Sequence, residues 1–174
     1  MIFFSTLALI AVLIIMFFTP LFNIKNVNIN IKRADISAGG TTNLHISADT
    51  VRETLGKIEG KNLFSYSKKG AKKKLSRLAY VEDVTVKKKV FPPTVNIEII
   101  ECTPAFFAAY EDGYVLMDKT GKVLEKLKGI PENGNVPEAK GIAIAAANVG
   151  EQVEFKDVES QKNILYCIEN MQTA

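Results

Sequence analysis

The 174-residue chain has one histidine and two cysteines, and these scarcities exclude several kinds of chemistry at once. His45 falls in a loop-like stretch beside no cluster of ligands, which argues against metal binding and imidazole acid–base work. Cys102 and Cys167 are too few for a disulfide framework and lack the CxxC spacing of a metal or redox site. They read as small buried residues, with a single disulfide as the alternative. No GxSxG, HExxH, phosphate-binding loop or GxGxxG occurs. The paired acids Glu82-Asp83 and Glu111-Asp112 are sequence neighbours, and on a strand neighbours point to opposite faces. An enzyme is therefore poorly supported, and neither a cofactor nor a small-molecule substrate is expected.

Charge is also missing from residues 1–24. Between Ile2 and Phe18 only Ser5 and Thr6 interrupt a run of Ile, Leu, Phe, Val, Ala and Met. About 20 apolar residues span a bilayer. Twelve of these seventeen are Ile, Leu, Phe or Val, which favours insertion by roughly several kcal/mol. A core helix of this length would show a polar face, and a cleaved signal peptide would have a basic leader and a small-x-small site. Residues 1–22 are read as an uncleaved transmembrane signal anchor. Lys25, Lys32 and Arg33 follow it with nothing basic before it, so a literal positive-inside count would leave the bulk of the chain in the cytoplasm. A cytoplasmic tail ahead of Met1 would restore the usual balance, and the expected arrangement is a single-pass protein with its bulk outside the cytoplasm.

The remainder of the chain is polar and divided by charge. Residues 24–101 carry 15 Lys or Arg against 8 Asp or Glu, and residues 102–174 carry 7 against 11, so a module of +7 precedes one of −4. The first is organised around Val81 to Pro104, which reads as two strands joined by a turn at Phe91-Pro92-Pro93-Thr94. Val84 and Val86 alternate with polar residues before the turn, and Val95, Ile97 and Ile99 alternate after it. A lone hairpin is marginal in water and needs a covering layer. Two short amphipathic segments upstream supply it. The first starts at Ser47, a good N-cap, with Ile46 and Val51 placed as a staple, an apolar stripe of Val51, Leu55 and Ile58, and Gly60 as its stop. The second, Lys68 to Leu78, turns Ala71, Leu75 and Leu78 inward and exposes Lys68, Lys69, Lys72, Lys73 and Lys74. A strand from Val27 to Ile31 completes a β-α-α-β-β unit, with an open loop over 33–45 around Gly39-Gly40-Thr41-Thr42-Asn43.

Beyond Pro104 the pattern becomes a meander of strands at Phe106 to Tyr110, Tyr114 to Met117 and Val123 to Leu127, joined by turns at Asp112-Gly113 and Asp118-Lys119-Thr120-Gly121. A loop covers Ile130 to Gly141. Ile142 to Val149 suits strand or helix, and Asp157 to Met171 reads as a helix with Val158, Leu165, Ile168 and Met171 near one face. The whole is α+β: a transmembrane helix, a β-α-α-β-β domain, then a mainly-β domain with a C-terminal helix.

Six stretches in order carry a family resemblance: Thr19 to Ile24 with Phe22 and Ile24, the Gly60-Lys61-Asn62-Leu63-Phe64 connector, Leu75 to Val81, the Phe91-Pro92 turn, Glu101-Cys102-Thr103-Pro104, and Met117 to Leu124 with Asp118 and Gly121. Together, over residues 1 to about 141, the chain resembles the FtsQ/DivIB family of bacterial cell-division proteins. The resemblance implies a transmembrane anchor over 1–22, a POTRA domain over 23–102 and a β domain over 103–174 that lacks its later strands. It also implies a non-enzymatic scaffold of the division septum in the cytoplasmic membrane, binding partners of the FtsL and FtsB/DivIC type and linking their assembly to septal wall synthesis. Cys102 departs from the Arg that often follows the Glu in that family, and the family's partner-binding strand belongs to the late region.

Within this chain the expected docking surface is the strand before the turn, with Val84, Val86, Lys87, Lys88 and Lys89, because an exposed strand edge can pair with an incoming strand and three lysines favour an acidic one. The lysines also fit plain edge protection. An alternative function is a membrane-anchored binder of anionic wall polymer or lipid headgroups through Lys68 to Lys89, and another is a POTRA module for polypeptide transport, which no repeat or barrel signature supports. Nucleic acid is not expected, since no aromatics interleave with the lysines.

Overall fold

The computed structural model describes residues 2–33, 44–131 and 136–171. The loop expected around Gly39 to Asn43 lies outside the described residues. The first element is α1, Ile2–Phe18, followed by a short 3-10 turn at Pro20–Phe22. Among the described residues no helix is long and apolar enough to cross a membrane. Leu7, Leu9, Ile10, Val12, Leu13, Ile14 and Ile15 on α1 are all exposed.

The chain divides into two compact units. Of the described residues, 2–32, 44–76 and 82–100 form the first, and residues 33, 77–81, 101–131 and 136–171 form the second. The short segment Arg77–Val81 thus belongs with the second unit although Val81 opens a strand that otherwise lies in the first.

In the first unit β1 (Asn26–Arg33), β2 (Val81–Lys89) and β3 (Thr94–Glu101) make a three-stranded sheet in the order β1-β3-β2. Period-two alternation shows directly on β3, where Val95, Ile97 and Ile99 are buried while Asn96 and Glu98 are half-exposed. The opposite face carries polar pairs across the strands: Asn28 donates to Asn96 at 2.9 Å, and Glu98 lies 3.3 Å from Lys87 and 4.0 Å from Lys32.

Helix α2, Ala48–Leu55, starts where the sequence indicates, with the Ser47 hydroxyl accepting from the Thr50 amide at 3.1 Å. It stops earlier than the apolar stripe suggests. Gly56 takes φ 67° and its amide closes the last turn on Arg52 and Glu53, so Ile58 is buried from a loop and not from the helix. Helix α3, Lys68–Leu75, likewise ends at Leu75, and the Ser67 hydroxyl caps it by accepting from the Gly70 amide at 3.0 Å. Leu78, expected on its inner stripe, is half-buried beyond the helix. The two helices pack on each other, and Val51, Leu55, Ala71 and Leu75 are their buried residues.

In the second unit β4 (Phe106–Tyr110), β5 (Gly113–Met117) and β6 (Val123–Leu127) form an antiparallel meander. Residues 142–149 resolve the strand-or-helix ambiguity as β7, Ile144–Ala146, which pairs with β8, Glu154–Phe155, a strand without a sequence signal of its own. Helix α4, Val158–Met171, follows. The side chains of Val158, Leu165, Ile168 and Met171 lie outside the described residues; Ser160 and Ile164 are the residues of α4 seen to be buried. Phe106, Ala108, Val115, Met117, Val123, Ile144, Val153 and Ile164 share one core.

Candidate partner-binding surface

The order β1-β3-β2 makes β2 an edge strand, and an edge presents main-chain donors and acceptors to whatever approaches. Alternation sorts the five residues singled out on it. Val84 is buried and Val86 half-buried, so Val84 can serve a partner only through its main chain. Lys87 and Lys89 are exposed. Lys88 falls on the other face with Val84 and Val86. It is half-buried, its ammonium donates to the Phe64 carbonyl at 3.5 Å and lies 6.0 Å from the centre of the Tyr66 ring, and burial followed by the nearby Lys68 lowers its pKa. The three lysines are therefore not one surface. Two face solvent and one holds the Asn62 to Tyr66 connector against the strand.

At the start of the strand, Asp83 receives the Lys72 ammonium from α3 at 2.7 Å, and that hydrogen bond lowers the carboxyl's pKa. The pair is half-exposed, so it fixes local geometry more than it stabilises.

The remaining motif residues hold connections. Asn62 builds an Asx turn, its Oδ1 accepting from the Phe64 amide at 2.9 Å and the Ser65 amide at 3.3 Å, and Gly60 supplies a φ of 83° just before it. Phe22 packs edge-to-face on Phe64 with ring centres 5.1 Å apart and lies 6.0 Å from Phe91. Ile24 is buried, and its amide and carbonyl bond Lys61 and Gly60. Phe91 and Pro92, by contrast, are exposed at the tip of the hairpin.

In the second unit Glu101 is fully buried beside the Arg33 guanidinium, 3.9 Å away. The Cys102 thiol is buried and donates to the Ala79 carbonyl at 3.7 Å, and Pro104 is half-buried after it. The side chain of Cys167 lies outside the described residues. Asp118 organises the turn that ends at Gly121 (φ 83°): its Oδ1 accepts from the Thr120 amide, the Thr120 hydroxyl and the Lys122 amide at 2.8, 2.7 and 3.0 Å.

Sequence reasoning missed Lys122 and Tyr80. Lys122 is buried, its ammonium donating to the Leu78 and Val81 carbonyls at 2.7 and 3.0 Å, and burial lowers its pKa. The Tyr80 hydroxyl donates to Glu125, and burial followed by that carboxylate raises its pKa far above the ordinary tyrosine range. Neither had a local signal, since the partners are more than forty residues away in sequence.

Residues 40–101 match the family model of the FtsQ-type POTRA domain. Among curated proteins, the chain is 31% identical over 129 residues to cell division protein FtsQ of Corynebacterium glutamicum, covering 74% of this chain and 52% of that protein. It is 26% identical over 143 residues to cell division protein DivIB of Clostridium botulinum strain Hall, covering 82% and 51%. It is 30% identical over 112 residues to DivIB of Staphylococcus aureus strain NCTC 8325, covering 64% and 23%. The chain thus spans about half the length, or less, of these relatives. No solved structure matches significantly.

Proposed function

Because the chain belongs to the FtsQ/DivIB family of cell-division proteins, we propose that it is a non-enzymatic scaffold of the divisome. On this reading it is anchored in the cytoplasmic membrane by α1 and the residues through Phe22, with its two folded units outside the cytoplasm. It recruits membrane division proteins of the FtsL and FtsB/DivIC type and couples their assembly to septal wall synthesis. The anchor reading is supported by apolar side chains exposed along α1, a surface that water disfavours and lipid does not. The 17 residues of α1 are too short to cross a membrane alone, so on this reading the anchor includes the uncharged residues through Phe22.

The observation that carries the docking proposal is the edge position of β2 in the POTRA sheet. An incoming strand would gain main-chain hydrogen bonds along β2, and Lys87 and Lys89 on the solvent face would favour an acidic segment over a basic one.

A fluorescent fusion in dividing cells tests the role: enrichment at mid-cell is expected, and uniform envelope staining would overturn it. Protease added to intact spheroplasts tests the topology. Digestion of the folded units is expected, and full protection would place them in the cytoplasm.

A further inference from the structure

The tip of the β2–β3 hairpin is apolar and exposed, and it is fastened to the chain where α1 ends. Phe91 is 65% exposed and Leu21 58%. The Phe22 ring lies 6.0 Å from that of Phe91, and the Lys25 and Asn26 amides both bond the Pro93 carbonyl, at 2.9 and 3.4 Å. Phe22 is four residues past the end of α1, so its backbone lies within about 14 Å of that end whichever way the helix points, and the tip packs against it.

The tip is also unusually cheap to dehydrate. Pro92 and Pro93 have no N–H to leave unsatisfied. Their carbonyls are already occupied, that of Pro92 by the Thr94 hydroxyl at 2.8 Å and that of Pro93 by the two amides of the β1 end. Around it, the segments 20–26, 57–62 and 89–93 carry Lys25, Lys57, Lys61 and Lys89 against the single acid Glu59, and all four lysines are exposed. An exposed aromatic beside two prolines whose carbonyls are occupied, with long-stemmed lysines in the adjoining segments, is a composition that suits the boundary between acyl chains and anionic headgroups.

We propose that the Val90-Phe91-Pro92 tip is a membrane-contact element, seating Phe91 at the headgroup–acyl boundary while Lys25, Lys61 and Lys89 meet anionic headgroups. It rests on the anchored reading above and adds a second contact, which limits how far the first unit can swing about residues 19–25. The POTRA sheet then stands on the bilayer through its hairpin end, leaving the β2 edge accessible from the side.

The chain contains no tryptophan, so single substitutions give clean fluorescence reporters. The full chain carrying Phe91→Trp, and separately Leu13→Trp as an anchor reporter, is placed in vesicles of phosphatidylcholine and phosphatidylglycerol with or without brominated acyl chains. Blue-shifted emission and loss of most of the intensity with brominated lipid are expected for both. Quenching of Leu13→Trp with water-like, unquenched emission from Phe91→Trp overturns the membrane contact and leaves the anchor standing. Absence of quenching in both overturns both readings, and quenching of Phe91→Trp alone supports the hairpin contact while removing the anchor. Replacing phosphatidylglycerol by phosphatidylcholine is expected to weaken only the Phe91→Trp quenching; no change would remove the lysines from the proposal.

Discussion

The Lys122 ammonium donates to the carbonyl of Leu78 at 2.7 Å, from a buried position where it also reaches Val81. The Leu78 carbonyl, beyond the end of α3, also accepts from the Val81 amide at 3.2 Å, so the Lys122 side chain, from the turn before β6, is a second donor to it and reaches the Val81 carbonyl as well. Lys122→Met keeps the length and the apolar stem but removes the donor. It is expected to cost about 1–3 kcal/mol in urea denaturation, the range for losing hydrogen bonds from a charged donor.

Tyr80 sets an alkaline limit. Its pKa is raised, by burial first and then by Glu125, so the unfolded chain loses this proton at a lower pH than the folded one. Stability from this group is complete below the unfolded tyrosine value of about 10 and falls as pH rises above it, by up to roughly 1.4 kcal/mol per pH unit. Thermal midpoints from pH 8 to 11 are expected to fall less steeply above pH ~10 in Tyr80→Phe than in the parent. Parallel curves would remove Tyr80 as the cause.

The interior of the first unit depends on Leu75, which is fully buried, whereas Lys73 two residues earlier is exposed. Leu75→Ala is expected to cost about 2–5 kcal/mol by loss of transfer energy and opening of a cavity. Lys73→Ala is expected to stay within about 0.5 kcal/mol of the parent. Equal melting temperatures would mean the inner face of α3 is something other than Ala71 and Leu75.

For partner capture, the split of the lysines dictates the variant. Lys88 holds the connector, so a charge reversal there would disturb the fold and confuse the result. Lys87→Glu with Lys89→Glu is expected to leave the melting temperature nearly unchanged, since the pair Lys87 makes with the half-exposed Glu98 is a surface contact. It is expected to weaken pull-down of FtsL- and FtsB/DivIC-type partners, most at low salt where charge attraction is least screened. Unchanged capture by the folded double variant would move attention to the second unit.

What the sequence determined by itself is what neighbours within a few residues can settle. The inward run of Val95, Ile97 and Ile99, the Ser47 cap, and the turn held by Asp118 and Gly121 all follow from side chains acting on their own segment. Family membership was legible for the same reason, as ordered short motifs. Tertiary structure decided the rest. The apolar stripe from Val51 to Ile58 did not reveal that Gly56 would end α2 inside it, because burial of Ile58 is served equally well from a loop. Strand order made β2 an edge, and alternation read on a known face separated Lys88 from Lys87 and Lys89. Nothing local marked Lys122 and Tyr80 as buried, because their carbonyl and carboxylate partners come from segments 41 to 45 residues away. A charged or hydroxyl group can be buried only where such partners converge, and that convergence exists only once the chain has folded.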